Sequence, residues 1–181
     1  INTSFYNNKS AGPWGAIAGL SNGTLNIIAD DGISEFKGNT SDVGNIAITV
    51  STGVLNLNAG NSGKILFYDE IRSGMPININ NAGVKLADGS TDAPVDGEVY
   101  FGNRIYCGNP AFIGTINLYN GTMTLGKEEY LSDSTQNLNL YGGTLNLINN
   151  EIGTVTVNDF SSQSAAKLNI DASMKSGTNG Y

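Results

Sequence analysis

Gly143-Thr-Leu-Asn-Leu-Ile148 is the stretch that decides the fold, because the chain repeats it in variant form. Related copies are Gly23-Thr-Leu-Asn-Ile-Ile28, Gly53-Val-Leu-Asn-Leu-Asn58, Gly83-Val-Lys-Leu86, Gly121-Thr-Met-Thr-Leu125 and Ala166-Lys-Leu-Asn-Ile170. Nearly every copy is a glycine turn followed by alternating residues, the period of a strand with one buried face. The first three glycines fall at positions 23, 53 and 83. Strand units recurring at about 20–40 residues indicate a stacked solenoid. The expected fold is therefore all-β, a parallel β-helix of about five coils with three short strands in each.

A three-strand module can be read outward from these copies. The second module runs Ile46–Val50, Val54–Leu57 and Lys64–Phe67; the third runs Ile77–Ile79, Val84–Leu86 and Glu98–Phe101. A fourth reads Thr115–Leu118 and Thr122–Leu125, with a weak third strand near Tyr130-Leu131. The fifth reads Asn137–Leu140, Thr144–Leu147 and Thr154–Val157. Ala16 to Phe36 and the stretch from Lys167 onward are atypical, as terminal repeats should be. Residues 1–14 do not repeat and are read as an irregular cap over the open strand edges. Trp14 fits that capping role better than a carbohydrate platform, having no aromatic neighbours. Residues 15–181 form the repeat domain.

The third strand of the module carries its own signal. Gly32-x-x-x-Phe36, Gly63-x-x-x-Phe67 and Gly97-x-x-x-Phe101 recur at offsets of 31 and 34. Stacked in register, Phe36, Phe67 and Phe101 should form one interior column. The middle residue of each Leu-Asn-Leu points the other way, which places Asn26, Asn56, Asn139, Asn146 and Asn169 outside, where amides can bond between coils. With strands ~4.8 Å apart, five coils give a rod on the order of 25 Å long.

Composition narrows the function. Only 14% of residues are charged, and the chain holds 25 Asn and 24 Gly. A net charge of −7 without a Lys/Arg cluster argues against nucleic acid and anionic membranes as partners. No apolar run reaches the ~18 residues of a membrane span, so no membrane insertion by this segment is expected. Cys107 stands alone, which excludes an internal disulfide and a Cys-based zinc site, and there is no histidine to shuttle protons. Cys107, without a base to activate it, is read as a small buried hydrophobe.

Two stretches, 87–96 and 103–113, interrupt the ladder as insertions, and such loops are where binding sites usually sit on solenoids. Asp88, Asp92, Asp96 and Glu98 crowd the first and offer the oxygen ligands calcium prefers. Their spacing matches no known calcium loop, and a solvated acidic loop is the plainer reading. No other cofactor is expected. Gly121-Thr-Met-Thr-Leu-Gly126-Lys127-Glu128 has a phosphate-loop spacing, but Glu128 replaces the magnesium-binding hydroxyl and the intervening residues alternate like a strand. The acidic pairs Asp30-Asp31, Asp69-Glu70 and Glu128-Glu129 put one carboxylate on each face of a strand, short of the facing pair a glycosidase needs. Lys64, Arg72 and Arg104 lack the repeated acidic cluster of a polysaccharide lyase. The Thr-x-Thr pairs at 122–124 and 154–156 do not recur at a fixed module position, which disfavours an ice-binding array.

Phe36-Lys-Gly-Asn-Thr40 followed by Gly63-Lys-Ile-Leu-Phe-Tyr-Asp-Glu-Ile71 resembles a phrase common in passenger domains of Gram-negative autotransporter adhesins. Leu168-Asn-Ile-Asp-Ala172 followed by Ser176-Gly-Thr is similar to a later segment of the same proteins. The resemblance covers about 32–71 closely and the rest through its Gly-Thr-Leu-Asn-Leu units. It implies a right-handed parallel β-helix, exported and displayed at the bacterial cell surface. Neither a signal peptide nor a C-terminal membrane barrel can be read in the chain, so a passenger fragment is implied. The expected role is non-enzymatic: an extracellular structural or adhesive stalk segment. Its partners would be neighbouring passenger segments, identical chains meeting through coil ends, or host and cell-surface glycans and proteins. The alternatives are a fibre subunit stacking end to end and a carbohydrate-active enzyme on a β-helix.

Overall fold

The computed structural model describes residues 2–19, 22–74, 76–81, 95–109, 112–149 and 153–171. They are built from strands, with one 3₁₀ turn at Glu128–Leu131. Three parallel sheets hold nearly all of them.

Sheet I contains seven strands: Phe5–Tyr6, Ile33–Lys37, Lys64–Phe67, Glu98–Phe101, Thr122–Leu125, Thr144–Leu147 and Lys167–Ile170. Sheet II is formed by Gly23–Asp30, Gly53–Gly60, Ile77–Ile79, Phe112–Leu118, Ser132–Leu140 and Thr156–Ser162. Sheet III is formed by Ile17–Ala18, Gly44–Val50, Glu70–Ser73 and Ile105–Asn109. As far as Thr122–Leu125 the chain visits them in the order I, III, II and returns to I one strand further along; beyond it sheet III gains no further strand among the described residues, and the chain alternates between sheets II and I. Two short antiparallel pairings interrupt the pattern: Thr40–Ser41 folds back on Gly44-Asn45, and Gly108-Asn109 on Phe112-Ile113.

The physical reason for this path lies in the alternation. In sheet I, Val99 and Phe101 are buried while Glu98 and Tyr100 are half-buried. Inward residues of all three sheets meet in one hydrophobic cluster. Its columns follow the strand registers. Leu25, Leu55, Ile77, Ile116 and Leu138 line sheet II, and Ile17, Ile48, Ile71 and Ile105 line sheet III. In sheet I the aromatic column is Phe5, Phe36, Phe67 and Phe101, with ring centroids 4.9, 4.7 and 5.7 Å apart and interplanar angles of 10–23°. Phe5 belongs to the stretch expected to be irregular; it adds a first strand and a fourth ring to the column. That strand and Lys167–Ile170 at the other end raise sheet I from the expected five levels to seven.

Several sequence expectations require correction. The repeated glycine-led motif is two motifs. Copies at Gly23 and Gly53 lie in sheet II, whereas those at Gly121, Gly143 and Ala166 lie in sheet I, on the same level series as Gly63 and Gly97. Ile77–Ile79, Thr115–Leu118 and Asn137–Leu140, read as opening strands of their modules, follow Leu55–Leu57 one after another in sheet II. Stretch 103–113 is not simply a projecting insertion, since Ile105–Cys107 pairs in parallel with Ile71–Ser73. The strand expected near Tyr130-Leu131 is the 3₁₀ turn. Val84–Leu86, together with Asp88 and Asp92, lies outside the described residues.

Candidate functional site

The outer faces of the sheets differ in what they leave available. Sheet II carries a ladder of amides in which Asn56 donates to Asn26, Asn78 to Asn56, Asn117 to Asn78 and Asn139 to Asn117, at 2.8–3.0 Å. Ser161 donates to Asn139 at 2.7 Å and ends the run. Asn26, Asn56 and Asn139 were expected on the outside; Asn78 and Asn117 complete their column. Asn146 and Asn169 belong to sheet I, in register with Thr124, and take no part in this ladder.

Corner residues form a second polar stack, between sheets I and III. Asn8 Nδ2 donates to Asn39 Oδ1 at 2.8 Å, and Asn39 Nδ2 donates to Asp69 Oδ2 at 2.7 Å. Backbone N–H groups of Gly38 and Asn39 donate to the same carboxylate at 3.0 and 2.9 Å. At the corner between sheets II and I, fully buried Asn80 donates to the carbonyls of Gly97 and Asn120 and accepts from the Ala59 N–H. These side chains replace the strand hydrogen bonds that a turn forfeits.

The outer face of sheet I is where functional groups collect. Lys64, Glu98 and Thr122 share one register row, and Leu66, Tyr100, Thr124 and Asn146 the next. With Ser62 and Asp96 at the corner, Lys64, Glu98, Thr122, Thr124 and Asn146 of these rows line a shallow groove of about 320 Å³. Lys64 Nζ lies 2.9 Å from Glu98 Oε2, and the Thr124 hydroxyl donates to Glu98 Oε1 at 2.7 Å. Burial pushes the Glu98 carboxyl up, but the Lys64 and Thr124 hydrogen bonds and the Lys64 charge outweigh it and hold the carboxyl below its usual range. Asp96 Oδ1 accepts the Ser62 N–H at 3.0 Å.

Beside the groove runs a strip of tyrosines. Tyr68 and Tyr100 have centroids 5.7 Å apart with planes tilted by 55°. Lys37 Nζ sits 5.0 Å above the Tyr68 ring, and the Tyr6 hydroxyl donates to Glu35 Oε2 at 2.5 Å. Burial, followed by the neighbouring Tyr68, Tyr130 and Glu98, raises the Tyr100 hydroxyl above its ordinary value. The hydrogen bond to Glu35 leads the causes that raise Tyr6.

The remaining sequence candidates are dispersed. Of the four acids considered for calcium, Asp96 and Glu98 are bound as described, and no group of three or more His, Cys, Asp or Glu able to hold a metal occurs among the described residues. Asp30 accepts from Asn61 Nδ2 at 2.6 Å, Glu70 pairs with Arg72, and Glu128 accepts from Asn149 Nδ2 at 3.1 Å. Arg104 donates to the Tyr106 hydroxyl at 3.0 Å. The phosphate-loop spacing falls on strand Thr122–Leu125, with Met123 and Leu125 buried, so its backbone cannot wrap an anion. Cys107 is buried in the inward column below Ser73. Trp14 is exposed. No helix among the described residues is long and apolar enough to cross a membrane. Comparison of the chain with models of known families, with curated proteins and with solved structures finds no match.

Proposed function

We propose that the chain is a stretch of right-handed parallel β-helix with a mechanical and adhesive role. In this reading it is a surface-displayed, non-enzymatic stalk segment of the kind implied by the resemblance to autotransporter passengers. The observation that carries the reading is the coupling between successive levels. The Phe5–Phe36–Phe67–Phe101 column inside links four successive levels, and the Asn26–Asn56–Asn78–Asn117–Asn139 ladder outside links five. Such a chain gains stability from nearest neighbours along one axis. That economy suits a spacer with long polar faces.

Carboxylates that an enzyme would use are employed otherwise: Asp69 binds Gly38 and Asn39, and Asp96 binds Ser62. The test is display. The chain fused to a membrane anchor on a non-adherent bacterium should make those cells adhere to host cells or to each other. Cells that stay dispersed and unattached, while antibody shows the chain on their surface, would overturn the adhesive reading.

A second reading, association of copies through their ends, draws on the last strands. Phe160, Leu168 and Ile170 occupy inward positions of their sheets yet are about half exposed. Mass that rises with concentration in light scattering is its expected signature; constant monomer mass counts against it.

A further inference from the structure

We propose that the outer face of sheet I, from Tyr6 to Asn146, binds an extended, uncharged oligosaccharide lying along the stacking axis. The proposal rests on the adhesive reading above and gives it a ligand class.

Sugars present two kinds of surface, a C–H face that packs on aromatic rings and an edge of hydroxyls that needs donors and acceptors. Sheet I offers both side by side. Tyr6 is 51% and Tyr68 39% exposed, and the tilt between Tyr68 and Tyr100 keeps the two rings from covering each other's faces. In the row that Tyr100 shares with Thr124 and Asn146, and in the neighbouring row of Lys64, Glu98 and Thr122, the groove is lined with ammonium, carboxylate, hydroxyl and amide groups.

Charge selects an uncharged ligand. Lys64 is paired with Glu98, the Tyr6 hydroxyl donates to Glu35, and Lys37 lies over the Tyr68 ring, so each of these charges is engaged within the sheet. Asp96 adds a negative charge at the rim, and the whole chain carries −7. Lys167 continues the Thr122–Thr144 row one level beyond Asn146, so between Tyr6 and Asn146 an anionic sugar would meet the net negative charge with both lysines of that stretch, Lys37 and Lys64, already engaged.

Geometry selects an extended ligand. Successive levels repeat along the axis at the parallel strand spacing of ~4.8 Å, close to the length of one sugar unit in an extended chain. Consecutive units can therefore meet consecutive levels along one register row. The levels are fixed by the backbone ladder, so little ordering is required on binding.

Sheet II provides the contrast within the same molecule. Its Asn ladder spends its amides on one another, and the Tyr119–Tyr141 pair stacks face to face at 4.9 Å and 17°. Those two rings cover each other.

Affinity electrophoresis tests the proposal, with soluble β-glucan, mannan and galactan as neutral probes and polygalacturonate as the anionic one. At least one neutral polysaccharide should retard the protein, and polygalacturonate should not. Tyr68→Ala and Tyr100→Ala should each weaken binding about tenfold, Tyr68→Phe should retain it, and Tyr141→Ala should leave it unchanged. Circular dichroism separates loss of the surface from loss of the fold. If removal of a ring unfolds the chain, Thr122→Ala serves instead, with an expected loss of about threefold. Retardation by none of the neutral polysaccharides, equal retardation by polygalacturonate, or indifference to the sheet I substitutions would overturn the assignment. Displayed cells that adhere although no neutral polysaccharide binds would sink this proposal and leave the adhesive reading standing; binding without adhesion would do the reverse.

Discussion

Asp69 takes both amides of Asn39, the backbone N–H at 2.9 Å and the side-chain Nδ2 at 2.7 Å, from the neighbouring level of the stack. The carboxylate is nearly inaccessible and also receives the Gly38 N–H. Asp69→Ala would strand three donors, and hydrogen bonds to charged groups are worth about 1.5–3 kcal/mol each without being additive. We expect Asp69→Ala to cost about 3 kcal/mol and Asp69→Asn about half of that. Urea unfolding midpoints measure both.

Phe67 is sandwiched between Phe36 and Phe101 and is fully buried. Phe67→Ala should cost about 3–5 kcal/mol. Phe5→Ala, at the half-buried end of the column, should cost clearly less. Equal losses in chemical denaturation would contradict the stacking.

Asn78 sits mid-ladder, giving one amide bond and receiving another. Asn78→Ala breaks both and should lose about 1–2 kcal/mol, whereas Asn26→Ala breaks one at the exposed end and should lose about 0.5 kcal/mol. Thermal melts of the two variants should rank in that order.

Gly53 has φ +121°, and a Cβ there would fall 2.2 Å from the Gly23 carbonyl oxygen. Gly53→Ala must push two paired strands apart, and a loss above about 3 kcal/mol is expected. Gly19 has φ +70° with open space around it; Gly19→Ala should cost only its backbone strain, about 1 kcal/mol. Yields of soluble protein and unfolding curves will separate a clash from strain.

Glu98 gives a pH dependence whose sign is fixed. Its folded carboxyl is held below the usual range, so the unfolded chain binds the proton more readily. The stability it contributes is present above the unfolded value and fades as pH falls through that value and the lower folded one. Partial exposure keeps the effect small. Lys64→Ala should flatten this part of the stability–pH curve, and an unchanged slope would contradict the pairing.

The aromatic column was legible because Phe36, Phe67 and Phe101 keep a constant place after a glycine. The assignment of the Gly-Thr-Leu-Asn copies was not. Sheets I and II both begin with a glycine turn and alternate afterwards, so periodicity alone cannot tell which sheet a copy joins. Glu70–Ser73 was missed because it is short, carries two charged residues and lacks a leading glycine. Asn8, Asn39 and Asp69 follow their column aromatics by two or three residues, and that variable spacing hid the corner stack. The groove could not be read either, because its lining comes from four successive levels brought together only by register.

The described chain enters on sheet I at Phe5 and leaves on sheet I at Ile170, while sheet III ends much earlier, at Ile105–Asn109. The end of the molecule is therefore a staircase of unequal treads. A second copy whose Phe5–Tyr6 continued above Lys167–Ile170 would face one empty level on sheet II and three on sheet III among the described residues. Such a joint would carry a shallow notch on one side and a deep one on another.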